Sequence, residues 1–193
     1  MKSDIILAGV GGQGILSIAA VLGMAALQED LYLKQAETHG MSQRGGAVVS
    51  HLRISSRPIA SDLIKLGTAD LILSVEPMES LRYLPFLSDK GYLVTNTTPF
   101  VNIGNYPDVE EILAEVRRLS RFVAIDADQI AKETGNVRAS NMVMLGAASP
   151  FIDLEFTKIE EGIRTVFEKK GEDIVTLNLD AFHAGRRFAE ENR

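Results

Sequence analysis

Apolar and polar positions along this chain follow two periods, one of two residues and one close to 3.6, and the switches between them divide it into strands and helices. Residues 4 to 8 form a short apolar run ending in glycines, and from 14 to 27 the apolar positions Ile15, Ile18, Ala19, Leu22 and Ala26 recur at helical spacing. This predicts a strand, a turn and a helix. Residues 31 to 36 suit a second strand. From 47 to 54, Val48, Leu52 and Ile54 alternate with Val49, His51 and Arg53, the pattern of a half-exposed strand that is antiparallel or at an edge. Ser55-Ser56-Arg57-Pro58 is turn chemistry. Buried-strand patterns at 69–75, 92–96 and 122–126 then alternate with helical ones at 78–86 and 109–119. The stretches 141–148, 157–170 and 172–190 also read as helices, with Lys169-Lys170-Gly171 supplying a cationic last turn and a glycine stop. Residues 102–107 read as a loop. Strands alternating with helices predict an α/β fold: a three-layer, mainly parallel Rossmann-like sheet with helices on both faces and a helical C-terminal region.

At 193 residues, 46% apolar and 24% charged, the chain suits a single domain spanning 1–193. A net charge of -6 argues against a general nucleic-acid binder, which carries a basic stripe, so any phosphate binding has to be local. No apolar run reaches the ~18 residues of a membrane span, and the first residues lead straight into a strand rather than a cleavable signal. A cytoplasmic protein without membrane contact is expected. With no cysteine, disulfides, thiol nucleophiles and the usual thiolate ligands of iron–sulfur clusters are excluded from this chain. His39, His51 and His183 are scattered with no H-x-x-x-H pair, which predicts no tightly bound metal.

Two stretches carry candidate chemistry. Gly9-x-Gly11-x-x-Gly14 satisfies the dinucleotide fingerprint, with a strand before it and a helix after it, so backbone N–H groups and the helix N-terminus are placed to face a phosphate. The structural alternative is a tight turn that needs small residues for packing. Gln13 adds an amide inside that turn, suited to hydrogen bonding nearby. The acid expected about 20 residues on is Glu37, but it begins a dense polar run: Glu37-Thr38-His39-Gly40-Met41-Ser42-Gln43-Arg44-Gly45-Gly46. That run has no apolar period and is not expected to be an ordinary structural element. Arg44 beside Gly45 and Gly46 suits a guanidinium clamp on a carboxylate or phosphate, with backbone approaching closely where no Cβ intervenes. His39 is the obvious acid/base group there; its alternative is a solvated histidine, just as an Arg44 to Glu37 pair would merely shape the surface. His51 and His183 read as structural.

These residues, with Val75-Glu76-Pro77, Asn141 and Met144-Leu145-Gly146-Ala147, closely resemble the gamma-type catalytic domain of the 2-oxoacid:ferredoxin oxidoreductases, over nearly the whole chain and in order. Within that family the likeness is greatest to the small beta subunit of the indolepyruvate type. The resemblance implies a reaction in which indolepyruvate, CoA and oxidised ferredoxin give indoleacetyl-CoA, CO2 and reduced ferredoxin. It also implies a large alpha subunit that carries thiamine diphosphate and iron–sulfur clusters, with CoA as co-substrate and no cofactor bound by this chain alone. The expected substrate- and cofactor-binding set is Gly11, Gly12, Gln13, Gly14, Glu37, His39, Gly40, Ser42, Gln43, Arg44, Gly45, Gly46 and Asn141, with Asn141 either joining the site or capping its helix. Other readings remain open. The same loops suit a docking surface for the large subunit; a different 2-oxoacid fits as well; and the fingerprint alone would fit a nicotinamide-dependent dehydrogenase. A small subunit of this kind is expected to expose apolar surface and to form a homodimer when isolated.

Overall fold

The structure is a computed structural model that describes residues 1–40, 45–101 and 103–192. A six-stranded sheet runs in the order β2-β3-β1-β4-β5-β6. Its strands are β1 (Lys2–Val10), β2 (Tyr32–His39), β3 (Ala47–Ser55), β4 (Ala69–Ser74), β5 (Leu87–Asn96) and β6 (Phe122–Ile125). β1, β4, β5 and β6 pair in parallel, whereas β3 is antiparallel to both β1 and β2. The connection from β2 to β3 is too short for a parallel crossover, which takes a dozen or more residues, so the two strands form a hairpin. β3 is therefore antiparallel as its alternation suggests, but it lies inside the sheet, and β2 is the edge.

One expectation is corrected here. Glu37, Thr38 and His39 belong to β2, paired with Ser50, Val49 and Val48. A ladder at a sheet edge is held by backbone bonds and tolerates polar side chains, so the missing apolar period did not mean a missing element. Asn102, in the predicted 102–107 loop, lies outside the described residues.

Helices cover both faces. α1 (Ile15–Gln28), α4 (Ala127–Glu133), α5 (Ser140–Ala148), α6 (Phe156–Phe167) and α7 (Glu172–Asn192) lie on one face; α2 (Pro77–Arg82) and α3 (Val109–Val116) lie on the other. β1 serves both: Ile5 and Leu7 enter the larger core, Ile6 and Ala8 the smaller. That two-sided burial explains why its sequence is an unbroken apolar run rather than an alternation. Among the described residues, no helix is long and apolar enough to cross a membrane. At the lower end of the sheet the buried Asp4 carboxylate takes two bonds from Arg53, at 2.7 and 3.0 Å. The same guanidinium reaches the carbonyls of Ser61 and Leu63, fastening that loop.

α5 is buried from Asn141 to Ala148 and rests on α7 through two glycines. A Cβ on Gly146 would lie 1.9 Å from the Phe182 carbonyl oxygen, and one on Gly185 would lie 1.9 Å from that of Val143. Backbone meets backbone there, so a methyl group has nowhere to go without parting the helices. Gly146→Ala or Gly185→Ala is predicted to cost about 3 kcal/mol, at the upper end for overpacking, and to lower Tm by roughly 6–12 °C for a domain of this size. Thermal unfolding followed by circular dichroism checks this; a shift below about 2 °C would show that the helices part easily.

Candidate functional site

β1 ends at the glycine turn, and the turn is tied to its surroundings from three sides. Gly9 has no room for a side chain, since a Cβ would sit 2.4 Å from Val75 Cγ2. Gln13 folds back so that its Oε1 accepts from the Val10 N–H at 2.8 Å, and its Nε2 donates to the Val75 carbonyl at 3.3 Å. The amide thus links the turn to the end of β4 before any ligand is considered. Gly14 takes a left-handed φ of 82° at the start of α1, and a Cβ there would lie 2.5 Å from Asn141 Nδ2. Asn141, in the first turn of α5, donates from that nitrogen to the Gly14 carbonyl at 3.2 Å. The cap position of α5 is Ala139, without a side-chain bond, so the capping account of Asn141 is set aside: it joins the glycine turn instead.

The polar run arrives at the same place. Gly11 N–H donates to the Gly46 carbonyl at 2.9 Å, and Gly45 N–H donates back to the Gly11 carbonyl at 3.4 Å. Gly40 N–H donates to Ala47 O at 2.8 Å, extending the hairpin by one rung. Glu37 and His39, two apart on one strand, share a face, and Glu37 Oε1 meets His39 Nε2. Gln35 donates to both Glu37 and Ser50 below them. Ser42, Gln43 and Arg44, with Met41, lie outside the described residues. In a dinucleotide fold the acid closing the second strand stands beside the glycine turn because that strand neighbours the first. Here β3 intervenes between β1 and β2, and Glu37 is engaged with His39.

Two clefts flank the turn. The larger, of about 530 Å³, runs from Gly12–Gly14 and Asn141 to Arg138, Phe167, Lys170 and Asn178. Arg138 and Lys170 form no ion pair among the described residues, and the Lys170 ammonium lies 5.1 Å above the Phe167 ring. Two free cations beside left-handed glycines favour an anionic group. Sequence reasoning missed Arg138, Lys170 and Asn178 as site residues; the run Arg138-Ala139-Ser140-Asn141 was the available signal, while Lys170 read only as a helix end. The smaller cleft, about 290 Å³, lies across the turn between Val10, Leu16, His39 and Val48.

Val75-Glu76-Pro77 proves to be scaffolding. Glu76 is fully buried and caps α2 by accepting from the Glu79 N–H at 2.9 Å. Its other oxygen accepts from the Phe100 N–H and the Tyr106 hydroxyl, which holds the segment after β5 against the sheet. Burial, and then the bond to Glu76, push the Tyr106 phenol far above its usual range. His51 accepts from the Ile64 N–H, and burial lowers its pKa; His183 pairs with Glu160 at 2.6 Å, and both serve packing. Among the described residues no three His, Cys, Asp or Glu side chains are grouped to hold a metal ion.

Comparison with known proteins gives this geometry its relatives. The chain is 37% identical over 202 residues to indolepyruvate oxidoreductase subunit IorB of Archaeoglobus fulgidus, covering 100% of this chain and 98% of that one. Its fold matches a 2-oxoglutarate:ferredoxin oxidoreductase from Magnetococcus marinus, solved with 2-oxoglutarate, coenzyme A and succinyl-CoA bound, with TM-score 0.77 and 25% identity. The match takes in 100% of this chain but only 32% of the Magnetococcus chain. The fold also matches a keto/oxoacid ferredoxin oxidoreductase gamma subunit from Geobacter sulfurreducens, with TM-score 0.71 and 24% identity over 98% of this chain and 99% of that one. Residues 4–188 fit the family model of the pyruvate ferredoxin/flavodoxin oxidoreductases, and the chain belongs to that family.

Proposed function

We propose that this chain is the small, gamma-type subunit of a cytoplasmic indolepyruvate:ferredoxin oxidoreductase, in which indolepyruvate, CoA and oxidised ferredoxin give indoleacetyl-CoA, CO2 and reduced ferredoxin. The observation that carries the role of the site is the backbone junction of Gly11 with Gly45 and Gly46, which sets the two motif loops side by side at the carboxyl end of β1. Open α/β sheets place their ligands at that end.

The redox groups belong to a large partner subunit. This chain has no cysteine to bind an iron–sulfur cluster. Thiamine diphosphate supplies the decarboxylation chemistry from that partner. What this chain adds is a wall of donors: Arg44 clamps an anionic group, the oxoacid carboxylate or a CoA phosphate, with Ser42 and His39 as the hydrogen-bonding groups beside it, while the Gln13 amide is engaged within the turn. The glycine turn admits the ligand close to backbone N–H groups. Arg138 and Lys170 line the neighbouring cleft with positive charge suited to the phosphates of CoA.

Arg44→Ala is predicted to leave assembly with the large subunit intact and to lower turnover at least about a hundredfold, as expected when a charge-assisted clamp worth roughly 3 kcal/mol is lost. Anaerobic acceptor-reduction assays on the purified complex read this; unchanged turnover with unchanged CoA dependence would remove the clamp, and loss of assembly would make Arg44 a docking anchor. Asn141→Ala releases the Gly14 carbonyl and is predicted to cost about 1 kcal/mol, a fall in Tm of about 2–4 °C, together with a raised KM for CoA. An unchanged KM would confine Asn141 to packing.

A further inference from the structure

α1 has a composition that its position does not explain. Of its residues Ile15–Gln28 only Ser17 and Gln28 are polar, and a helix that is apolar all round is normally buried all round. One side is buried: Gly23 faces Leu33 of β2, where a Cβ would lie 3.3 Å from Leu33 Cδ2, and Val21 meets Gly162 of α6. Between those two contacts runs a stripe made of Leu16, Ala20, Met24 and Leu27, spaced by four, four and three residues and so within one arc of the helix. Leu16 and Leu27 are 57% and 58% exposed. The stripe has no charged residue. Its borders are polar, with Ser17 and Gln28 on one side and Gln35, Glu37 and His39 of β2 on the other. An apolar centre inside a polar rim is the anatomy of a protein interface.

We infer that this outer face of α1 is where the thiamine-carrying large subunit seats, an inference that rests on the small-subunit reading above. Two observations select that occupant. The stripe begins at Leu16, which with His39, Val10 and Val48 also lines the smaller cleft at the glycine turn, so whatever covers the stripe adjoins the candidate site. In the Magnetococcus oxidoreductase the same fold is only 32% of a longer polypeptide, so this fold works joined to further protein. The large subunit must therefore present a complementary uncharged apolar face, with donors at its edge for Glu37 and Gln35.

The test compares Ala20→Glu and Leu27→Glu with Leu66→Glu, whose side chain is 59% exposed in the loop before β4, away from the stripe. All three isolated variants should keep the wild-type circular dichroism and Tm, because the replaced side chains are exposed. Binding to the large subunit, measured by anaerobic sedimentation, should weaken at least about tenfold for the two stripe variants and stay unchanged for Leu66→Glu. Wild-type affinity in both stripe variants would overturn the inference, as would a wild-type homodimer that the charges disrupt while large-subunit binding persists. A wild-type chain that binds no large subunit would overturn the small-subunit reading together with this surface.

Discussion

Val10 pairs with Ala47 in the last rung of the β1–β3 ladder, and the candidate site is built on the next step beyond it. There the strands have given way to glycine, yet the pairing continues: Gly11 and Gly46 are bonded, and Gly45 closes back on Gly11. Two motifs far apart in sequence therefore meet because they leave the same end of two neighbouring strands. Register is what holds them together. A slip of one residue would turn Ile5 and Leu7 from the larger core toward the smaller, so the burial of β1 on both faces fixes the position of the site as firmly as its own hydrogen bonds do.

The remaining parts of the site are carried there by packing. Asn141 reaches the Gly14 carbonyl only because α5 lies deep against the sheet, and α5 lies that deep because Gly146 and Gly185 let it touch the α7 backbone. Gln13 does for β4 what Gly11 does for β3, tying the turn to the Val75 carbonyl. Glu76, one residue further along, neutralises the exposed donors of α2 and of the Phe100 segment with a single buried carboxylate. The turn is consequently rigid before a ligand or a partner arrives, a condition for orienting an anion without an added ordering cost.

Much of this was legible in the pattern of the chain. The strand positions and the helices from α5 onward follow from periodicity and spacing, whereas the meeting of the two glycine-rich motifs is set by the pairing of β1 with β3. α4 was missed because its seven residues are too few to show a period, although Asp126 and Gln129 form the first half of a capping pattern, with the Asp126 carboxylate accepting from the Gln129 N–H at 2.9 Å. The extension of β2 into the polar run was missed because an edge strand is stabilised by its backbone and not by its side chains. Lys170 and Asn178 were invisible for another reason, and Arg138 had only its nearness to Asn141 in sequence to mark it. They come from the loop before α5, the end of the turn after α6 and the middle of α7, and only tertiary packing gathers them beside Gly12. In the opposite direction, the glycine fingerprint overstated the case for a dinucleotide, since strand order, which spacing does not encode, separates Glu37 from the turn by the width of β3.

As the proposed small subunit, this chain completes an active site whose reactive groups lie on another polypeptide. The most direct measurement is anaerobic reduction of a ferredoxin-like acceptor by the large thiamine-carrying subunit, with indolepyruvate and CoA, in the presence and absence of this chain. CoA-dependent reduction is expected only when both are present. Equal activity from the large subunit alone, or a stable complex inactive on every 2-oxoacid tried, would contradict it.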